Sequence, residues 1–124
     1  MKVLLDTHAL IWALEGSRRL SKTARVTIED PHNEVLVSAV SAWEIAIKKA
    51  LGRLSVPDDL IEAVDAAGFT RRALGFGEAG RLQSLPALHT DPFDRMLIAH
   101  ALEEGAAIVT RDAAIARYAV KTIW

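Results

Sequence analysis

Four carboxylates, Asp6, Glu44, Asp94 and Asp112, stand where short apolar runs give way to new elements. Asp6 closes Val3-Leu4-Leu5. Glu44 is expected in the first turn of the helix after "EVLVS", Asp94 in the first turn of a helix beginning at Pro92, and Asp112 just past the run "AIVT". Carboxylates at helix N-termini cap free N–H groups and suit the macrodipole, and Ser41-x-x-Glu44 has the form of a capping box, as does Asp91-Pro-x-Asp94 more loosely. Capping suffices for any one of these acids. It does not account for the set, because Ser, Thr or Asn cap without charge, whereas four carboxylates delivered to one edge repel one another. Divalent cations relieve that repulsion. The chain has no cysteine and its four histidines are scattered at 8, 32, 89 and 100. The ligand set is therefore carboxylate oxygen and water, the preference of Mg²⁺ or Mn²⁺. Such a site activates water and neutralises charge on a phosphate during in-line displacement, so phosphodiester hydrolysis is the matching reaction.

Asp94 is the most informative of the four. Positions 94, 97, 98 and 101 share one helical face, and the other three are Leu97, Ile98 and Ala101, so this acid needs a partner. Glu44 has an ordinary explanation as well, an i,i+4 pair with Lys48 worth a few tenths of a kcal/mol. His8 and His89 adjoin these motifs, but an isolated histidine is more often a satisfied polar group than a catalyst.

The elements that must position the acids follow from periodicity and punctuation. Val3 to Leu5, "EVLVS", "FTRRAL", "AAIVT" and "VKTIW" read as strands. Thr7 to Leu14, Ser21 to Glu29, "AVSAWEIAIKKALG", Asp58 to Ala67, Gly77 to Ser84, Pro92 to Glu104 and Asp112 to Tyr118 read as helices, with Gly16, Gly52 and Gly105 as stops. In the third of these helices Trp43, Ile47 and Ala50 or Leu51 form one stripe, expected to be plain core, as are Ile11 and Trp12 in the first. Alternating helices and uniformly apolar strands specify an α/β fold, a central parallel β-sheet flanked by helices on both faces. In such sheets sites form beyond the carboxyl ends of the strands, where all four acids fall.

A length of 124 residues, 51% of them hydrophobic and 25% charged, is one domain with a sizeable core, expected over 1–124. The apolar runs are far shorter than a membrane span and the start lacks a signal-peptide pattern, so a soluble, cytoplasmic protein is expected. A net charge of −1 gives no global attraction for nucleic acid, leaving that task to local basic residues or metal ions.

The segments "LLDTHALIWAL", "SAVSAWEIAIKKALGRL", "LPALHTDPFDRMLIAHALEEG" and "AIVTRDAAI" together resemble the PIN-domain ribonucleases, specifically the VapC-like toxins of bacterial type II toxin–antitoxin pairs. The resemblance covers nearly the whole chain in the correct order. It implies an endoribonuclease dependent on Mg²⁺ or Mn²⁺ and acting on single-stranded regions of structured RNA, with Asp6, Glu44, Asp94 and Asp112 as its acidic quartet. Asp91 is then an additional acid, with a metal contact through water as one role and a cap before Pro92 as the favoured one. Thr110 matches a position where the family often carries a hydroxyl near the acids. The resemblance also implies a homodimer and a small antitoxin that inserts an apolar segment near the acids. Of the basic residues, Lys48 and Arg95 lie within one turn of the acids and are the candidates for RNA phosphate contacts. Two rivals remain. A receiver-type signalling domain needs an acid pair after its first strand and a late lysine, and Asp6-Thr7 with no lysine after "AIVT" fits it poorly. A catalytically silent PIN-like module that binds RNA or a partner would be favoured by a missing acid, and all four are present.

Overall fold

A computed structural model describes residues 1–124. Five strands, β1 (Lys2–Leu5), β2 (Glu34–Ser38), β3 (Thr70–Arg72), β4 (Ala107–Val109) and β5 (Thr122–Ile123), form one sheet in the order β3-β2-β1-β4-β5. Every pairing is parallel, with Val3 opposite both Val35 and Ala107. Six helices connect them: α1 (Thr7–Glu15), α2 (Lys22–Glu29), α3 (Ala39–Ala50), α4 (Leu60–Ala66), α5 (Phe76–Ser84) and α6 (Pro92–Glu104). The chain winds outward from β1 to β3, then returns to lay β4 on the other side of β1. That reversal makes the carboxyl ends of β1 and β4 the topological switch point, where open α/β sheets form their crevice.

The alternation of side chains along the strands sorts the core into two layers. Val3, Leu5, Val35, Val37, Ala107 and Val109 face one way, against Leu10, Trp12 and Ala24 of α1 and α2 and Val64 of α4. Leu4, Leu36 and Ile108 face the other way, against Leu97, Ile98 and Ala101 of α6. Each fully buried aliphatic side chain contributes about 1.5–3 kcal/mol relative to exposure. Helix α3 contributes to both layers, Val40 to one and Ile45 to the other. No helix is long and apolar enough to cross a membrane.

The α/β reading and its helices on both faces hold, and the differences from the sequence reading are local. Strand β2 runs into α3 without a loop, because Ser38 both ends the strand and caps the helix through its hydroxyl, which accepts from the Val40 N–H at 3.1 Å. Glu44 is therefore in the second turn of α3, not the first, and Ser41 is no cap. The buried face of α3 is Val40, Ser41, Glu44 and Ile45, so the expected stripe of Trp43 and Leu51 points outward, with Trp43 58% exposed. Ile11 and Trp12 are core, as expected. The segment from Asp112 to Tyr118 winds only into a 3₁₀ turn at Ile115–Arg117, a length at which the nucleation cost of an α-helix is not recovered.

Helix α6 ends at Gly105, whose φ of 64° lets the chain reverse into β4 after a single residue. Open space surrounds the position a Cβ would take, so the cost of a side chain there is purely conformational. Gly105→Ala should lower stability by about 1 kcal/mol in urea unfolding, and Gly105→Asn by less.

Candidate active site

The four acids come from four different elements and meet at the switch point. Asp6 follows β1 and caps α1, accepting the Ala9 N–H at 2.8 Å. Its own N–H donates to the Val109 carbonyl at 3.2 Å, which ties the end of β1 to the end of β4. Glu44 reaches the edge from the buried face of α3. The Thr7 hydroxyl donates to Glu44 Oε1 at 2.6 Å and accepts from the Ser41 hydroxyl at 3.1 Å, and Lys48 pairs with Glu44 Oε2 one turn later. Asp94 lies in the first turn of α6, above the buried Leu97, Ile98 and Ala101. Asp112 follows β4, and its Oδ1 accepts the Ala114 N–H at 2.8 Å in a tight turn.

Histidine 89, set aside on sequence grounds, stands among them. Its Nε2 is 3.0 Å from Asp94 Oδ2 and 3.2 Å from Asp112 Oδ2, while its Nδ1 accepts the Asp91 N–H at 3.2 Å. The acceptor role of Nδ1 fixes the tautomer: Nε2 carries the hydrogen and shares it between two carboxylates. The loop bearing His89 is fastened by one buried hydroxyl. Tyr118 Oη accepts the N–H groups of Leu88 and His89 at 3.1 and 2.9 Å and an Arg95 Nη1 hydrogen at 3.1 Å. Arg95 Nη1 also donates to the Pro86 carbonyl, so this guanidinium holds the loop. Asp91 caps α6, its Oδ1 accepting from the N–H groups of Phe93 and Asp94, as its sequence context suggested. His8 is exposed and stacks on Trp12, and His100 is buried against the Ser38 hydroxyl. Sequence reasoning missed Thr7 and His89; the direct succession Asp6-Thr7 and the run His89-Thr90-Asp91 were the only signals.

Burial of carboxylates dominates the electrostatics, and crowding of negative charge adds to it. Burial raises the Asp94 carboxyl to about 7, and the charges of Asp91, Glu44 and Asp6 add to the rise while His89 opposes it. Burial likewise raises Asp6, against the Thr110 hydroxyl and the Ala9 N–H, which favour its charged form. Of the four acids only Glu44 has a lysine or arginine partner. An oxygen-rich site with surplus negative charge fits a hard divalent cation, and Asp94 and Asp112 already present ligand oxygens within 4.8 Å of each other.

The PIN domain family profile matches residues 3–121. Ribonuclease VapC22 of Mycobacterium tuberculosis is 35% identical over 118 residues, covering 89% of this chain and 86% of that protein. Among solved structures, the fold matches the crystal structure of VapBC2 from Rickettsia felis bound to a DNA fragment from their promoter, with a TM-score of 0.69 at 14% identity over 98% of this chain and 97% of that one. It also matches a domain of a functionally unknown protein from Methanocaldococcus jannaschii, with a TM-score of 0.53 at 16% identity, covering 98% and 88% of the two chains.

The raised Asp94 carboxyl has a measurable sign. Between the ordinary value of 3.8 and about 7 the unfolded chain releases this proton while the folded chain keeps it, so raising the pH through that window lowers stability. Thermal melts of metal-free protein should show this decline, and Asp94→Asn should flatten it and melt above the wild type once the pH exceeds 7.

Proposed function

Because the chain belongs to the PIN-domain family, we propose that it is a metal-dependent endoribonuclease toxin that hydrolyses RNA phosphodiester bonds, with Asp6, Glu44, Asp94 and Asp112 as its catalytic, metal-holding acids. One observation carries this reading. Four carboxylates from separate elements converge on the β1–β4 crevice without enough cations to balance them, and burial, reinforced by the charges of Asp91, Glu44 and Asp6, pushes Asp94 up to about 7. Mg²⁺ or Mn²⁺ bound there supplies an activated water and neutralises charge on the phosphate.

The chain's own residues prepare that site. The Thr7 hydroxyl fixes one Glu44 oxygen and Lys48 holds the other, so this buried carboxylate is oriented. Asp94 must give up its proton before it can act as a ligand, which makes cation affinity rise with pH through about 7. His89 keeps Asp94 and Asp112 close together through its shared Nε2 hydrogen. Lys48, beside the acids, is the residue assigned to contact an RNA phosphate. Arg95 is the second candidate on sequence grounds, and its engagement with Pro86 and Tyr118 leaves it chiefly a loop-positioning role. Asp91 serves as the α6 cap and reaches a cation at most through water. A cognate small antitoxin as partner and a homodimer as the working assembly belong to the same reading.

The test is cleavage of single-stranded RNA with Mg²⁺ or Mn²⁺ by the purified protein and by Asp6→Asn and Asp94→Asn. Losing a metal-holding acid removes several kcal/mol of transition-state stabilisation, so each variant should fall by at least about 100-fold while still folding. Undiminished cleavage by folded variants would sink the assignment. RNA binding without any cleavage by the wild type would instead identify a catalytically silent module.

A further inference from the structure

Two aromatic rings flank the acids on the outer surface. Trp43 immediately precedes Glu44 in the chain, and Phe93 immediately precedes Asp94. Although they come from different helices, their rings meet edge to face, with centroids 5.2 Å apart and planes at 73°. Phe93 is partly buried and rooted in the core layer of α6, whereas Trp43 is 58% exposed. Lys48 Nζ, which pairs with Glu44, lies 5.9 Å from the Phe93 ring centroid.

We propose that the Trp43–Phe93 pair is a stacking platform that holds an unpaired nucleobase of the RNA substrate next to the phosphate at the acids. The proposal rests on the ribonuclease reading and deepens it. Lys48 Nζ links the platform to the acids, paired with Glu44 Oε2 and 5.9 Å from the Phe93 ring centroid, so a base on the platform has its own phosphodiester near the acids. Phe93 holds the indole in place through an aromatic edge contact, so little side-chain entropy is lost when a base stacks. A net charge of −1 and a cluster of carboxylates give RNA no electrostatic welcome before a cation binds. Stacking on a π face is uncharged and tolerates that field, and Lys48 supplies one local positive charge. With Trp43 more than half exposed, its indole is open to a planar base. A base is available to such a face only when unpaired, which makes the platform selective for single strands.

The test measures binding of a short single-stranded RNA of mixed sequence, and of copies carrying one abasic nucleotide at each position, to Asp94→Asn protein in Mn²⁺ by indole fluorescence and anisotropy. Adding Trp43→Ala should weaken binding by about 10-fold or more, the scale of one lost base–aromatic stack, and Trp43→Phe should weaken it much less. One abasic position should cost a similar factor with Trp43 present and almost nothing with Trp43→Ala. Phe93→Leu, which keeps core volume but removes the edge contact, should give an intermediate loss. Unchanged affinity of the folded Trp43→Ala variant, or an abasic penalty equal in both backgrounds, overturns the platform. So does normal RNA binding by Trp43→Ala together with lost binding to a protein encoded beside it, which makes this a protein-docking face. These results are separable from failure of the ribonuclease reading, which would appear as absent RNA cleavage by the wild type.

Discussion

Burial of carboxylates that cannot move apart, sharpened by their mutual repulsion, is the constraint on which this structure turns. Asp6 ends a strand whose Val3, Leu4 and Leu5 are wholly buried, so it has no path away from the edge. Asp94 stands on Leu97, Ile98 and Ala101, which are wholly buried in the opposite layer. The free energy that holds the charges together comes from the apolar sheet and its helices, and it must exceed the electrostatic penalty at the switch point. Hydroxyls and backbone N–H groups soften that penalty locally: Thr7 at Glu44, Ala9 at Asp6 and Ala114 at Asp112. None of them removes the net charge. The arrangement sacrifices stability at the place where function needs concentrated negative potential.

The two-layer core explains why residues far apart in sequence can be held in one constellation. Helix α3 leaves β2 without a loop and sends Val40 into one layer and Ile45 into the other. With both faces of the helix engaged, its rotation about its own axis is fixed. Glu44 lies between those two anchors and inherits their rigidity. On the far side of the crevice, Asp91 caps α6 and Tyr118 gathers the preceding loop. Each acid is thus placed by an element end secured by hydrogen bonds or core contacts, which is how a site gains precision from an ordinary α/β scaffold.

Much of this was legible in the sequence. Short strands, apolar at the centre of the sheet, alternating with amphipathic helices specify a parallel sheet, and acids at strand ends then fall on one edge by topology. The parts that were hidden depend on tertiary contacts. Nothing local distinguishes His89 from a surface histidine, since its place is set by Tyr118, 29 residues later. Trp43 looked like core because helical spacing reports that a stripe exists and not which stripe faces inward; Ser41 and Glu44, two polar residues, occupy the buried side instead. Placing Glu44 one turn too early came from taking Ser41-x-x-Glu44 as the capping box, where Ser38 caps the helix instead. The sheet order, with β1 central, could not be read from the sequence at all.

The central position of β1 has a consequence for the life of the nascent chain. Asp6 and its strand are synthesised roughly a hundred residues before β4, which flanks them in the sheet. Until then β1 has only β2 beside it, and the crevice has only one wall. A ribosome-bound chain therefore carries half of an acidic site until β4 emerges, and the parallel, long-range pairing that completes it belongs to the slow class of folding events. Temporal order along the polypeptide thus separates making the protein from arming it.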